Sequence, residues 1–308
     1  MSRIAAAIDI GGTNTNFGLV DEQGKILAQD SVPTKKFPEP RELVKVVSAA
    51  ISELLTPDSE LIGAGIGAPN GNFFSGSIEF APNMQWKGIV PLAKYFSEAL
   101  NCEAVLTNDA NAAALGEMIF GGAKGMKDFI FVTLGTGLGS GIVVNGEMVY
   151  GHDGFAGELG HVIIIPEGRS CGCGRKGCLE TYCSATGIVT TYFSGIRNPE
   201  SKINSVDAKY IYELAKQGDQ TAIDSFNYTG EILGLALANS VTYTSPEAIF
   251  LFGGLANAGD FIFNPTKESF EKNLLNIYKN KIKILPSQLK ENDAALLGAA
   301  SLIWKEKK

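Results

Sequence analysis

Four side chains offer a metal its ligands: His161, and Cys171, Cys173 and Cys178 within Cys-Gly-Cys-Gly-Arg-Lys-Gly-Cys. Three thiolates and one imidazole in a glycine-rich stretch are the donor set of a closed tetrahedral zinc site. With every position filled by protein, such a zinc is expected to be structural. Disulfides are the competing use of these thiols, but residues two apart bridge poorly and an odd thiol would be left over. Cys102 and Cys183 stand apart, and buried free thiols are the expectation for them.

A second chemistry is written in two glycine turns, Asp9-Ile10-Gly11-Gly12-Thr13 and Gly135-Thr136-Gly137, each at the end of an apolar run. Glycines let a backbone approach an anion closely, and successive N–H groups with a threonine hydroxyl can cradle phosphate oxygens. Either turn alone is equally an ordinary hairpin. Asp9 adds a carboxylate beside a phosphate-type turn, a natural partner for Mg²⁺. The run from Gly135 has Ser140 where a dinucleotide fingerprint needs its third glycine, and no Walker sequence is present.

The third group is Asn108-Asp109, between apolar Ala104–Leu106 and a helical Ala110–Met118. A carboxylate at a strand-to-helix junction is either an N-cap or a general base aimed at a ligand. Glu158 and Glu180 bracket the cysteine loop and offer fixed acceptors to a hydroxyl-rich ligand.

The elements that must hold these residues follow from apolar periodicity. Strands are expected at 4–10, 16–20 and 26–32, the last two joined by a turn at 21–24, then a helix over 39–55 and a strand over 61–67. A strand over 129–134 leads through the glycine run 135–141 into strands at 142–145 and 147–150, repeating the opening of the chain and hinting at two similar lobes. Helical pattern fills 207–243, strands follow at 248–252 and 282–285, and Asp293 is expected to cap a last helix over 294–304. The 308 residues are 45% hydrophobic, which suits well-developed cores in two domains. A net charge of -7 disfavours nucleic acid as a partner, and no apolar run is long enough to span a membrane. A soluble cytoplasmic protein, with reduced thiols, is the expectation.

Together these pieces resemble the ROK family of repressors, open reading frames and sugar kinases. The matching segments are Asp9-Ile-Gly-Gly-Thr13, Leu134-Gly-Thr-Gly-Leu-Gly139, Glu158-Leu-Gly-His161, Cys171 through Glu180, and Phe252-Gly-Gly254, in family order over nearly the whole chain. The resemblance implies a hexokinase/actin-like (ribonuclease H-like) α/β fold of two lobes, with ATP and sugar in the interdomain cleft. Residues 1–108 plus 295–308 are assigned to a small domain and 109–294 to a large one carrying the zinc loop. It implies that Asp109 is the catalytic base and that Asn83, Asn108, Glu158, His161 and Glu180 bind sugar hydroxyls alongside it. Gly11, Gly12, Thr13, Gly135, Thr136 and Gly137 would hold ATP phosphates, with Asp9 nearest Mg²⁺ and Gly253-Gly254 by the adenosine. His161 would serve both zinc and sugar.

Phosphorylation of the 6-hydroxyl of a hexose, glucose first, is the implied reaction, by a homodimer acting on hexose and ATP. An N-acetylhexosamine or fructose kinase is the alternative within the family. A sugar-responsive regulator is the different class, but it needs a helix-turn-helix before the first strand, and that strand begins at residue 4. Two departures stand out: Asn14-Thr15-Asn16 where a basic residue is usual, and Asn70 where the family turn has glycine. Asparagine tolerates the left-handed conformation, so the turn is expected to persist. Asn70 is also placed to face the sugar.

Overall fold

The computed structural model describes residues 2–195 and 206–307. These fall into two compact units, each built of segments distant in sequence: residues 1–126, 148–156 and 288–308 in the first, and 127–147 and 157–287 in the second.

The first unit opens with β1 (Ser2–Ile10), β2 (Asn14–Asp21) and β3 (Ile26–Pro33), then α1 (Pro40–Leu54) and β4 (Ser59–Gly67). After these come β5 (Gly71–Asn72), β6 (Ser77–Glu79), β7 (Ile89–Val90), α2 (Leu92–Leu100), β8 (Ala104–Thr107) and α3 (Asp109–Ile119). The main sheet runs β3-β2-β1-β4-β8. Its first three strands are an antiparallel meander, whereas β1, β4 and β8 are parallel. Ile4 to Ile8 are buried without a break because β1 is covered on both faces. The parallel register pairs Asp9 with Gly67 and Gly67 with Thr107, so Asp9 and the residues after Thr107 share the carboxyl edge of the sheet. In open α/β sheets that edge is where ligands bind.

The second unit contains β9 (Phe129–Leu134), β10 (Leu138–Val144) and β11 (Glu147–Met148), then α4 (Ala185–Gly195), α5 (Ala208–Lys216), α6 (Gln220–Thr244), β12 (Ala248–Phe252), α7 (Asp260–Asn273) and β13 (Lys283–Pro286). Its sheet, β11-β10-β9-β12-β13, has the same plan: antiparallel β9 and β10, then parallel β9, β12 and β13. The repeat read from the glycine hairpins is therefore a repeat of topology.

The last helix, α8 (Glu291–Lys307), returns to the first unit, where it packs on α3, β1 and β4. It is buried almost all round from Leu296 to Trp304. Close approach explains its glycine: a Cβ on Gly298 would lie 2.7 Å from the Ala112 carbonyl carbon and oxygen in α3, and one on Gly65 of β4 would overlap the Ala299 carbonyl. This contact fixes the helix that begins with Asp109. Gly298→Val has backbone on the far side and no rotamer to escape into, so it should cost about 3 kcal/mol of stability. A shift in the urea midpoint worth less than about 0.5 kcal/mol would show that the two helices separate freely.

Several expectations are corrected. Residues 109–126, 148–156 and 288–294 fall in the first unit, where α3 lies against α8, whereas the sequence assigned them to the larger domain. The strand expected at 142–145 begins at Leu138, so the glycines at 139 and 141 are strand residues. The strand at 147–150 is only Glu147–Met148. The helical stretch 207–243 is two helices, broken at Gly218, whose φ is +86°, and capped anew by Asp219. Asp293 lies inside the first turn of α8 and does not cap it. Cys183 is buried as expected, but Cys102 is only partly so. No described helix is long and apolar enough to cross a membrane.

Candidate functional site

In the first unit the chemistry gathers at the carboxyl edge of the sheet. Thr107 ends β8, and Asn108 caps α3: its side-chain oxygen accepts the Asn111 N–H at 2.7 Å. Capping therefore belongs to Asn108, and Asp109 is the first helical residue. The Asp109 carboxylate accepts the N–H of its neighbour Ala110 at 2.8 Å. Burial raises its pKa, with that backbone bond pulling the other way. By surface area Asp109 is exposed, so the crowding comes from protein around the carboxylate and leaves it open to a ligand.

Asp9 ends β1 nearby and accepts from Asn16 Nδ2 at 3.3 Å. Gly67 separates the two acids: a Cβ there would stand 3.9 Å from Asp9 Oδ1 and 4.0 Å from Asp109 Cα. Burial first, and the charge of Asp109 in lesser part, push Asp9 from 3.8 up to about 6. A divalent cation relieves both penalties.

The sign for stability follows. A carboxyl whose folded pKa is raised binds its proton more tightly when folded, so stability falls as pH rises from about 4 to about 6 and stays low above. Asp9→Asn should thus stabilise the metal-free protein by roughly 2 kcal/mol at pH 8, after allowance for partial exposure, and by almost nothing at pH 4. Urea titrations at the two pH values check this. A destabilised variant at pH 8 would show that the Asp9 charge is already compensated.

Gly11 donates to the Asn14 carbonyl at 2.9 Å and closes the first hairpin. A Cβ on Gly12 would meet the Asn83 carbonyl oxygen at 2.6 Å, which brings Asn83 to the same loop as Gly11, Gly12 and Thr13. Asn83 and Thr13 are exposed. Asn70 adopts φ +49°, the left-handed conformation expected of it, and donates Nδ2 to the Glu79 carbonyl at 3.1 Å. A Cβ on the adjacent Gly71 would lie 2.4 Å from the Thr107 carbonyl, so this turn abuts Asn108.

In the second unit both glycine loops also lie at a carboxyl edge. Phe252 pairs with Thr133, and Leu255 donates to the Leu134 carbonyl at 3.2 Å, which sets Gly253-Gly254 beside Gly135. Thr136 is exposed at the turn tip. Glu180 reaches the same hairpin, since a Cβ on Gly137 would come 2.9 Å from its Oε2.

The four candidate metal ligands converge. Gly174 and Gly177, with φ of +87° and +78°, turn the chain back on itself. The ligand atoms of His161, Cys171, Cys173 and Cys178 all lie within 4.8 Å of one another. Cys173 Sγ and Cys178 Sγ are 3.6 Å apart, and Cys171 Sγ is 3.7 Å from His161 Nδ1. Tetrahedral zinc with bonds of about 2.3 Å to sulfur needs neighbouring donors roughly 3.8 Å apart, so the donor set fits. All five cysteines are free thiols. A hydrogen bond from Arg175 lowers the pKa of Cys173 to about 6 and favours the ligating thiolate. The imidazole divides its two nitrogens: Nδ1 faces Cys171 and stands 3.6 Å from Glu180 Oε1, and Nε2 stands 4.0 Å from Glu158 Oε2.

The residues singled out in the sequence thus form one group per unit: Asp9, Gly11–Thr13, Asn83, Asn108 and Asp109 in the first, and the remainder in the second. Arg169, which sequence reasoning passed over, lies among the second group. Its signal is spatial, for its partners are distant in sequence.

The glucokinase of Streptomyces coelicolor is 36% identical over 313 residues, an alignment covering 97% of both chains. A ROK family glucokinase from Streptomyces griseus, solved in complex with glucose and AMPPNP, superposes with a TM-score of 0.80 at 33% identity over 97% of this chain and 98% of that one. A ROK hexokinase from Thermus thermophilus gives 0.84 at 28% identity over 99% of each. The ROK family itself matches residues 5–306, so by motif order, by topology and by similarity along its length the chain belongs to the ROK family.

Proposed function

We propose that the chain is an ATP-dependent sugar kinase that phosphorylates the 6-hydroxyl of a hexose, with glucose as the preferred acceptor. The observation that carries this is the match to glucokinases over nearly the whole chain. The local geometry supports it: Asn108 takes the capping duty and leaves Asp109 free for chemistry.

In this reading Asn83, Asn108, Glu158, His161 and Glu180 hold the sugar hydroxyls, and Asp109 orients the 6-hydroxyl. As the sugar oxygen bonds to the γ-phosphorus, the bond from that phosphorus to the β-phosphate oxygen breaks, ADP leaves, and the proton passes to the Asp109 carboxylate. A raised pKa makes that residue a better proton acceptor than an ordinary carboxylate. Gly12, Thr13, Thr136 and Gly137 offer the phosphates backbone N–H groups and hydroxyls, Gly11 and Gly135 shape the two turns through their own N–H bonds, and Gly253-Gly254 lie by the adenosine. Mg²⁺ bound to the nucleotide would supply charge neutralisation at the phosphates, and Asp9 is the carboxylate that would hold it.

His161, Cys171, Cys173 and Cys178 would hold a zinc that would fix the imidazole, and with it Glu158 and Glu180. A reducing cytoplasm that keeps the thiols available, and a homodimer, complete the proposal. ADP release measured over glucose, mannose, fructose, N-acetylglucosamine and N-acetylmannosamine tests it. The highest kcat/KM should fall on glucose; a preference for an N-acetylated sugar or fructose would move the assignment within the family, and no ADP release with any sugar would end the kinase reading.

A further inference from the structure

Arg169 precedes the cysteine loop by two residues and has no part in the roles above. Its guanidinium is partly buried and makes three hydrogen bonds. Nη1 donates to the Thr181 carbonyl at 2.7 Å and to the Gly187 carbonyl at 3.1 Å, while Nη2 donates to Thr191 Oγ1 at 3.0 Å. The group also lies over the Tyr182 ring, 4.5 Å from its centre, and the Tyr182 hydroxyl accepts the Arg169 backbone N–H at 2.8 Å. One side chain thus grips the end of the cysteine loop and the first turns of α4.

Those first turns of α4 in turn hold the second glycine hairpin. Ala185 N–H donates to the Gly135 carbonyl at 2.8 Å, and Thr186 Oγ1 donates to the Thr136 carbonyl at 2.9 Å. On its other side, Arg169 is tied to the cysteine loop by its own carbonyl, which accepts the Gly177 N–H at 2.8 Å. The clamp borders a cavity of about 460 Å³ whose wall includes Thr136, Arg169, Glu180 and Thr186.

We propose that Arg169 is a positioning residue that transmits the geometry of the cysteine loop through α4 to the Gly135–Gly137 hairpin, so that the metal site sets nucleotide affinity as well as sugar contacts. The nucleotide half of this statement rests on the kinase reading; the mechanical half does not. A planar guanidinium serves three acceptors at fixed angles and stacks on a ring, whereas a lysine ammonium is a single point on a flexible stem. Charge alone is therefore insufficient, and the conservative replacement should fail.

The test uses the full-length, zinc-loaded protein carrying Arg169→Lys, with zinc content, hydrogen exchange over residues 134–139, the Kd for MgATP without sugar, and the KM for sugar as readouts. Zinc content should stay at the wild-type value, exchange over 134–139 should quicken, the Kd for MgATP should rise about tenfold, and the sugar KM should move less than about twofold. Thr186→Val removes the side-chain bond from α4 to Thr136, one of the two links to the hairpin, while leaving Arg169 and every metal ligand in place. It should reproduce the same pattern, and the double variant should be no worse than either single one. Unchanged exchange over 134–139 in both variants, or effects that simply add, would overturn the proposal. Should Arg169→Lys lose its zinc or fail to fold, Thr186→Val alone decides by the same exchange readout. A wild-type protein that binds no MgATP would sink the kinase reading, and the exchange measurement would still decide the coupling.

Discussion

Asp109→Asn should lower kcat by about 10²- to 10⁴-fold and leave the KM for sugar within a few-fold of wild type. The structure makes this a clean substitution. The helix cap is Asn108, so the N-terminus of α3 keeps its side-chain acceptor, and the amide oxygen of the variant can still receive the Ala110 N–H. Only the proton acceptor is lost. Fold and melting temperature should be unchanged or slightly improved, because a crowded charge disappears. The acid side of the rate profile carries a second signature. A general base works when deprotonated, so activity is lost as pH falls through its pKa, and burial puts that fall above the usual carboxylate range. Asp109→Asn should flatten the limb along with its height. A variant with near-normal kcat would return Asp109 to a structural role and move the base to Glu158 or Glu180.

Loss of the metal should have the other large effect. Protein purified without added zinc should hold one zinc per chain, and Cys173→Ala or Cys178→Ala should hold almost none. Structural zinc binds with about 10–16 kcal/mol in small domains, where the whole fold depends on it. Here the second unit keeps a large core of its own around Val132, Leu237 and Ile249, so that unit should stay folded while the loop melts. Sugar turnover should drop at least about 100-fold, since Glu158, His161 and Glu180 lose their common support. Alkylation distinguishes local from global loss: in the variants the remaining loop thiols should react readily, and Cys183, fully buried against α6, should not. Active, folded protein with a zinc content near zero would overturn the structural-metal assignment.

Which parts were legible in the sequence follows from the range of the interactions involved. β1 and β9 announce themselves as unbroken apolar runs ending in glycine, because central parallel strands are buried on both faces. The cluster of His161, Cys171, Cys173 and Cys178 is legible because the chemistry of its side chains narrows the options more than their spacing does. The division of labour between Asn108 and Asp109 was hidden, since both residues are good caps and only the helix start tells them apart. The small sheet of β5, β6 and β7 gave no signal, because strands of two or three residues have no period to detect. The Arg169 clamp was equally invisible, for its acceptors are mostly backbone carbonyls 12 to 18 residues away.

The return of α8 to the first unit makes the order of synthesis differ from the order of completion. The ribosome delivers β1 and β4 early, yet the helix that covers them emerges only after the whole second unit has been made. At bacterial-type elongation rates of about 5–20 residues per second, the 1–126 segment waits on the order of ten to thirty seconds for its closing helix. During that interval the apolar face destined for Leu296, Leu302 and Trp304 has no partner, while the second unit can already close its own core. The N-terminal half of the nascent chain is therefore the half that needs shielding from aggregation, and slowing translation late in the message should lower the soluble yield more than slowing it early.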